Sequence, residues 1–178
     1  MDYKKIKKIH FTGIKGVGMT PLAIIAKEAG FQVTGSDVAD VFITDRELKK
    51  AGIEKIVEFN TLNVENVDLV IATAAHGGSE NLEVLKAQEL EIPVLNQGQA
   101  LGAFQKGEVF GKKLKGVSVA GSHGKTTTSA MIATVFENAG LKPSYVIGTS
   151  DIPSLGSSGH YGKGEYFITE SDEYFADV

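Results

Sequence analysis

The segment that most constrains the fold is a glycine-rich stretch from Gly121 to Thr127, which reads GSHGKTT. Residues 116–120 before it predict a short strand, and apolar residues at helical spacing after it predict a helix. The apolar face of that helix is expected to comprise Ile132, Val135, Phe136 and Ala139. A strand, a glycine turn and a helix in this order are typical of a loop that binds phosphate. Glycines let backbone N–H groups curl around an anion, and the helix N-terminus favours negative charge.

The residues of this stretch have distinct expected roles. Lys125 is predicted to be catalytic, because its ammonium group would reach the β- and γ-phosphates of a nucleotide. His123 is predicted to be a spacer whose backbone matters more than its ring. Val119 stands where the longer phosphate-loop pattern has a glycine, so the match is to the shorter form G-x-x-G-K-T. The nucleotide-binding residues are expected to be Gly121, Ser122, His123, Gly124, Lys125, Thr126 and Thr127.

A metal ion is expected beside this loop. The hydroxyl of Thr126 is predicted to hold Mg²⁺, as the residue after the lysine does in loops of this kind. Glu170 ends a predicted strand over 166–169, in the position where such enzymes place a metal-binding acid. Asp172 and Glu173 lie next to it, which favours a metal role. We therefore predict Thr126 and Glu170 as the metal ligands.

The first half of the chain predicts a separate parallel sheet. Short apolar runs alternate with helical patterns, which is typical of a doubly wound α/β fold with right-handed crossovers. The predicted strands cover residues 6–12, 31–35, 67–73 and 93–95. The first predicted helix runs from about 19 to the glycine at 30, and two further helices cover 45–51 and 82–90. The apolar face of the first helix is expected to comprise Met19, Leu22, Ala23 and Ala26.

A second glycine turn opens the first helix. It follows the first strand, so its glycines favour a diphosphate resting on the helix N-terminus. Asp37, about 20 residues further on, lies where an acid contacts ribose in dinucleotide-binding folds. The spacing leaves open whether the ligand is NAD or another nucleotide diphosphate. The residues expected to bind it are Gly13, Ile14, Lys15, Gly16, Val17, Gly18 and Asp37.

The two halves are expected to be separate domains. Residues 106–115, rich in Gly and Lys, predict a linker between a domain over 1–105 and a second one over 116–178. Two predicted strands, over 145–147 and 166–169, and one helix after the phosphate loop are too few to close a nucleotide domain. The expected fold is therefore α/β: a Rossmann-like parallel-sheet N-terminal domain followed by the first part of a P-loop ATPase domain.

Composition excludes several classes of function. A net charge of −4 argues against a large nucleic-acid-binding surface. The chain has no cysteine, which excludes disulfides, thiolate metal sites and cysteine nucleophiles. No apolar run has the length of a signal peptide or of a membrane span. We therefore expect a cytoplasmic protein that does not insert into membranes.

Four segments together resemble the Mur ligase family: HFTGIKGVGM at 10–19, TGSD at 34–37, VAGSHGKTTT at 119–128 and ITESDEYFAD at 168–177. The resemblance implies that the first domain holds UDP-N-acetylmuramate rather than NAD, with the first glycine turn on the diphosphate and Asp37 near the uridine. It implies that residues 121–127 bind ATP and that Glu170 binds Mg²⁺. It also implies an amide ligase that activates a carboxylate as an acyl phosphate, from which the amine of L-alanine displaces phosphate. A further domain would bring that amine, so this chain alone is expected to be inactive.

Other functions stay open at this point. The family's usual motif after Glu170 is altered, and four polar residues stand where related ligases carry other side chains: Asn60, Asn96, Gln97 and Gln99. These differences leave room for a relative that adds a murein tripeptide to the same UDP-sugar. Outside the ligases, the alternatives are a nicotinamide-dependent Rossmann oxidoreductase and a catalytically silent nucleotide-binding module. The oxidoreductase would leave the GKT segment without a role.

Overall fold

A computed structural model describes residues 1–171, so Asp172 and Glu173 lie outside the described residues. The strands are β1 (Lys8–Thr12), β2 (Gln32–Ser36), β3 (Ile56–Val57), β4 (Leu69–Ala72), β5 (Val94–Asn96), β6 (Lys115–Val119), β7 (Ser144–Val146), β8 (Gly159–His160) and β9 (Tyr166–Glu170). The helices are α1 (Thr20–Glu28), α2 (Asp45–Lys50), α3 (Leu82–Glu89), α4 (Gln97–Lys106) and α5 (Lys125–Asn138). Short 3-10 turns lie at Tyr3–Lys5, Thr61–Val64 and Gly78–Glu80. Within residues 1–171, no helix is both long and apolar enough to cross a membrane.

The first five strands form one parallel sheet in the order β3-β2-β1-β4-β5. This confirms the α/β fold class and the parallel sheet that the alternation predicted. The strand order reverses between β1 and β4, which leaves a crevice at the carboxyl ends of these strands. The first glycine turn follows β1 directly and lies at this edge. All four residues of β4 are buried, as expected for a central parallel strand.

The remaining strands form a second sheet in the order β6-β9-β7-β8. Strands β6, β9 and β7 are parallel, whereas β8 pairs antiparallel with β7. The sequence analysis did not predict β8, because two residues carry no periodicity. The carboxyl ends of β6 and β9 lie side by side, with Val119 paired to Glu170. The GSHGKTT segment and Glu170 therefore lie at the same edge of the second sheet.

Helix α1 is buried on all sides from Thr20 to Ala26. The predicted apolar face is buried, but so are the remaining residues from Thr20 to Ala26. The reason is that α1 packs against the first sheet and also against β7 and β8 of the second. A Cβ atom on Gly159 of β8 would collide with the backbone of Pro21. The two sheets therefore share one core through α1, in which Val146 and Phe167 of the second sheet pack with residues of the first.

The buried face of helix α5 differs from the one that the sequence predicted. Ser129 and Ala133 are buried, and Ile132 and Phe136 are partly buried against the second sheet. Val135 is 63% exposed and Ala139 is also exposed, so their predicted places on the buried face were wrong. The sheet beneath α5 has only four strands among residues 1–171 and covers a narrower stripe of the helix than the sequence predicted.

Helix α4 was not predicted. It begins directly after β5 with a reciprocal cap: the Gln99 N–H donates to the Asn96 side chain at 2.8 Å, and the Asn96 N–H donates to the Gln99 side chain at 3.0 Å. Two glycines within its ten residues weaken the helical signal in the sequence. After α4, Val109 and Leu114 are buried in the same core as Phe104. The division into two domains stays a prediction.

Candidate functional site: two glycine turns on one cleft

The GSHGKTT segment forms an open turn before α5. Gly124 caps the helix with φ +75°, a left-handed conformation that residues with a Cβ adopt only under strain. Among the residues that the structure describes, no acceptor receives a hydrogen bond from the seven backbone N–H groups of residues 121–127. Seven consecutive free donors at a helix N-terminus form a concave surface suited to an anion.

The side chain of Lys125 folds back over this turn. Its ammonium group donates to the carbonyl oxygen of Gly121 at 2.8 Å. The ammonium therefore lies above the turn whose N–H groups are free. His123 is exposed, and its Nδ1 lies 3.3 Å from the hydroxyl oxygen of Ser122. This position is compatible with the predicted spacer role, which stays a prediction.

Thr126 and Glu170 are in direct contact. The Thr126 hydroxyl donates to Glu170 Oε2 at 2.9 Å, and the backbone N–H of Gly148 donates to Oε1. A hydroxyl and a carboxylate oxygen are hard ligands of the kind that Mg²⁺ prefers. Within residues 1–171, no cluster of three or more His, Cys, Asp or Glu side chains could hold a metal ion. A Mg²⁺ ion held here would therefore need phosphate and water oxygens as its other ligands, which is how nucleotide sites usually bind it.

The first glycine turn is more closed than the sequence predicted. Gly13, Ile14 and Lys15 are buried, and the N–H groups of Gly13 and Ile14 both donate to the carbonyl oxygen of Ser36. Gly16, Val17 and Gly18 are accessible. The N–H groups of Val17 and Gly18 reach no acceptor within the described part of the chain. The donors available to a diphosphate are therefore at the end of the turn that precedes α1.

Asp37 and Lys15 hold this turn together. The Lys15 N–H donates to Asp37 Oδ2 at 2.7 Å, and the Val38 N–H donates to Oδ1 at 2.8 Å. The Lys15 ammonium donates to the carbonyl oxygens of Val38 and Asp40, at 2.9 and 2.8 Å. Asp37 is only 2% exposed. Both side chains thus serve the backbone of the turn in this structure, and their predicted contacts with a ligand stay predictions.

The two turns face the same cleft, which has a volume of about 700 Å³. Val17 and Gly18 line one side, and Lys125, Thr126 and Glu170 line the other. Gln97 and Gly98, at the start of α4, lie between them. The side chain of Gln97 packs so closely on Gly18 that a Cβ atom there would collide with its amide. Residues from the two sites that the sequence predicted separately therefore line one cleft.

Sequence reasoning missed a buried carboxylate beneath the first turn. Glu83 Oε2 accepts hydrogen bonds from Thr12 at 3.0 Å and from Ser36, and it lies 3.3 Å from His10 Nε2. Burial alone would raise the pKa of Glu83, but hydrogen bonds from His10, Ser36 and Asn63 outweigh burial and lower the pKa to about 2. Glu83 thus joins the carboxyl ends of β1 and β2, next to the first glycine turn, which follows β1. Polar His10 and Thr12, which alternate with apolar residues in the central strand β1, were the available signal.

Comparisons with known proteins identify relatives along nearly the whole chain. Residues 8–108 match the family model described as Mur ligase family, catalytic domain. The UDP-N-acetylmuramate–L-alanine ligase of Desulfitobacterium hafniense (strain Y51) is 44% identical over 93% of this chain, and that of Clostridium perfringens (strain 13 / Type A) is 40% identical over 94%. This chain spans 35% of the length of each of these two relatives.

Solved structures of two types of ligase resemble the fold of this chain equally well. The UDP-N-acetylmuramate–alanine ligase of Thermotoga maritima has a TM-score of 0.77 at 31% identity and covers 92% of this chain, which covers 36% of that one. The UDP-N-acetylmuramate:L-alanyl-gamma-D-glutamyl-meso-diaminopimelate ligase of Neisseria meningitides also has a TM-score of 0.77, at 30% identity. It covers 95% of this chain, which covers 53% of that one.

Proposed function

The chain belongs to the Mur ligase family, and from that premise we propose that it carries the sugar-nucleotide site and the ATP-binding turn of a ligase. The ligase joins L-alanine to UDP-N-acetylmuramate in the cytoplasm. The observation that carries the proposal is that two turns with free backbone N–H groups open into one cleft. A diphosphate at one turn and a triphosphate at the other would both find donors at a helix N-terminus.

The first site is proposed to receive the UDP-sugar. The N–H groups of Val17 and Gly18 would donate to its diphosphate, and Gln97 would face the same ligand from α4. Asp37 would support this site by fixing the backbone of the turn through its hydrogen bond from the Lys15 N–H. A diphosphate at Val17 and Gly18 would leave the rest of the sugar nucleotide free to extend along the cleft toward Lys125.

The second site is proposed to bind ATP and Mg²⁺. The N–H groups of residues 121–127 would hold the phosphates, and Lys125 would exchange the carbonyl oxygen of Gly121 for phosphate oxygens. Thr126 and Glu170 would hold Mg²⁺. When bound, ATP would supply the phosphoryl group that converts the sugar's carboxylate into an acyl phosphate, ready for attack by an amine. The charge that develops during this transfer is what Lys125 would neutralise.

Isothermal titration calorimetry on the 178-residue chain tests this assignment. We expect UDP-N-acetylmuramate to bind, and ATP with Mg²⁺ to bind weakly or not at all, because this chain spans only 35% of the length of the curated relatives it matches. NADH is the decisive competitor, since the same glycine turn suits a dinucleotide. Binding of NADH without binding of the UDP-sugar would reject the ligase assignment in favour of a nicotinamide-dependent enzyme.

A second candidate is the ligase that adds a tripeptide to the same sugar. The equal TM-scores of the two types of solved structure favour keeping it. Because both types would share the cleft described above, ligation by a protein of the relatives' full length must separate them. Turnover with L-alanine alone supports the first candidate, and turnover with L-alanyl-γ-D-glutamyl-meso-diaminopimelate alone supports the second.

A further inference from the structure

The side chain of Glu47 crosses from α2 to the loop that joins β7 to β8 (residues 147–158, here called the β7–β8 loop). Its Oε1 accepts hydrogen bonds from the N–H groups of Asp151 at 3.0 Å and of Ser158 at 2.9 Å. Its Oε2 accepts from the hydroxyl of Ser158. Glu47 is 5% exposed. One buried carboxylate attached to the first sheet thus holds the β7–β8 loop at two points.

The loop leads directly to Glu170. The N–H of Ile147 donates to the carbonyl oxygen of Ser158 at 2.9 Å, and the next N–H, that of Gly148, donates to Glu170 Oε1. A Cβ atom on Gly148 would lie 2.7 Å from this oxygen, so the backbone passes close to the carboxylate. The position of the loop therefore governs the orientation of Glu170, whose other oxygen contacts Thr126.

The other end of this connection is the first glycine turn. The hydroxyl of Thr44, at the start of α2, donates to the carbonyl oxygen of Lys15. The Lys15 ammonium lies 3.8 Å from Asp45 Oδ1. Helix α2 is therefore fastened to the first turn at its N-terminus and to the β7–β8 loop through Glu47. Helix α2 thus links the two sides of the cleft through buried hydrogen bonds of Thr44 and Glu47.

Neighbouring contacts between α2 and the loop are more exposed. Lys50 donates to the carbonyl oxygen of Gly156 at 2.7 Å, and Arg46 lies 3.6 Å from Asp151, with both side chains of the latter pair more than half exposed. Exposed pairs of this kind contribute little. Asp151 itself has φ +53°, a strained conformation for a residue with a Cβ, which persists only where surrounding contacts hold it. Its hydrogen bond to Glu47 is such a contact.

We propose that Glu47 is a positioning residue: by holding the β7–β8 loop at Asp151 and Ser158, it sets Gly148 against Glu170 and so orients the carboxylate beside Thr126. The structural part of this proposal needs no ligand. Its consequence for nucleotide binding rests on the proposed function.

Nuclear magnetic resonance of the 178-residue chain tests the structural part. In Glu47→Ala the Gly148 amide should lose its carboxylate-bonded shift, and its hydrogen exchange should accelerate by about tenfold or more. Glu47→Gln should preserve both, because the amide oxygen can accept the two N–H bonds and the amide nitrogen can donate to the Ser158 hydroxyl. If Glu47→Ala does not fold, Glu47→Asp gives the same test, since its shorter carboxylate cannot reach both N–H groups.

Glu28→Gln is the matched control. Glu28 also crosses between the sheets, accepting from the Tyr161 N–H at 2.7 Å and pairing with His160, so its contacts lie at the end of β8 and outside the β7–β8 loop. It should leave the Gly148 amide unchanged. An unchanged Gly148 amide in Glu47→Ala, or an equal change in Glu28→Gln, overturns the proposal, because the effect would then be absent or a general loosening between the sheets.

Calorimetry with UDP-N-acetylmuramate and with ATP and Mg²⁺ separates this inference from the proposed function. A protein of the relatives' full length should lose about tenfold in affinity for ATP and Mg²⁺ with Glu47→Ala, with its affinity for the UDP-sugar unchanged. Equal losses for both ligands contradict a positioning role at Glu170. If the unsubstituted protein binds neither ligand, the proposed function fails, whereas the Gly148 amide still decides the role of Glu47.

Discussion

The hydroxyl of Thr126 donates to the carboxylate of Glu170 at 2.9 Å, which joins the first turn of α5 to the end of β9. These residues are 44 positions apart in the chain and meet because β6 and β9 are neighbouring parallel strands. In parallel sheets the loops that follow neighbouring strands emerge at the same edge. The contact between Thr126 and Glu170 thus follows from the order of the strands in the second sheet.

Glu170→Gln should weaken the binding of ATP in the presence of Mg²⁺ by about tenfold or more, because a neutral amide is a poorer ligand for a hard cation. Without Mg²⁺, the affinity for ATP should change little. Calorimetry on a protein of the relatives' full length measures both. Glu165→Gln is the control, since Glu165 is exposed and pairs with Lys115 at the opposite end of β9. Equal losses with and without Mg²⁺ would contradict a metal role.

Lys125→Ala should abolish acyl phosphate formation in a protein of the relatives' full length, while the affinity for UDP-N-acetylmuramate stays unchanged. The reason is that the ammonium lies over the second turn and takes no part in the first. Trapping the acyl phosphate and titrating the UDP-sugar measure the two effects. Lys113→Ala, at an exposed position, should alter neither. Persisting acyl phosphate formation would reject the assigned role of Lys125.

Gly159→Ala should lower the free energy of unfolding by about 2 kcal/mol or more, because the added methyl group would collide with the backbone of Pro21, which cannot move aside cheaply. Urea unfolding followed by circular dichroism measures this. Gly102→Ala is the matched control: it lies inside α4, where an added Cβ meets no atom within 4 Å. It should raise the free energy of unfolding by about 0.5–1 kcal/mol. Similar losses for both variants would contradict the close packing of α1 on β8.

Glu83→Gln should lower the free energy of unfolding at neutral pH by about 2–4 kcal/mol, because the amide has one acceptor oxygen where the carboxylate has two, so its NH2 group would replace an acceptor either of Asn63 or of Thr12 and Ser36. The pKa of Glu83 is lowered to about 2, so its contribution is present above the usual carboxyl pKa of about 4.5 and is lost as the pH falls toward 2. The difference between the two proteins should therefore shrink in acid. Glu89→Gln, at an exposed position of α3, is the control.

The pair of Glu28 and His160, 2.8 Å apart, should make stability depend on pH. The hydrogen bond to Glu28 raises the pKa of His160 above its usual 6.5, against the opposing effect of burial. This contribution is present below about pH 6.5 and is lost as the pH rises through the raised pKa. Burial alone would raise the pKa of Glu28, but hydrogen bonds from His160 and the Tyr161 N–H lower it below 4.5, so its contribution is lost in acid.

The pair therefore contributes most between these two limits. On raising the pH from about 6 to about 8.5, the original chain should lose stability relative to Glu28→Gln. Urea unfolding of both proteins across this range measures the difference. A constant difference would show that the ion pair makes no pH-dependent contribution.

Local patterns predicted the first sheet and both glycine turns. Strands β1 and β4 and the flanking helices follow from apolar periodicity, which reflects burial on one or two faces and is visible within a few residues. The turns follow from glycines placed between a strand and a helix. Strands β3 and β8 and helix α4 were missed, because each of the two strands has only two residues and the helix depends on a reciprocal cap and on packing against the core.

The sequence by itself determined the α/β alternation, the two turns and the family resemblance, since each depends on residues close together in the chain or on motifs in a given order. The tertiary structure alone decided that Lys15 and Asp37 hold the backbone of the first turn, that Val17 and Lys125 face one cleft and that Glu47 binds the β7–β8 loop. The physical reason is that these contacts join residues far apart in the chain, some by more than 100 positions. No local periodicity reports which distant side chain a folded chain will bring to a free N–H group.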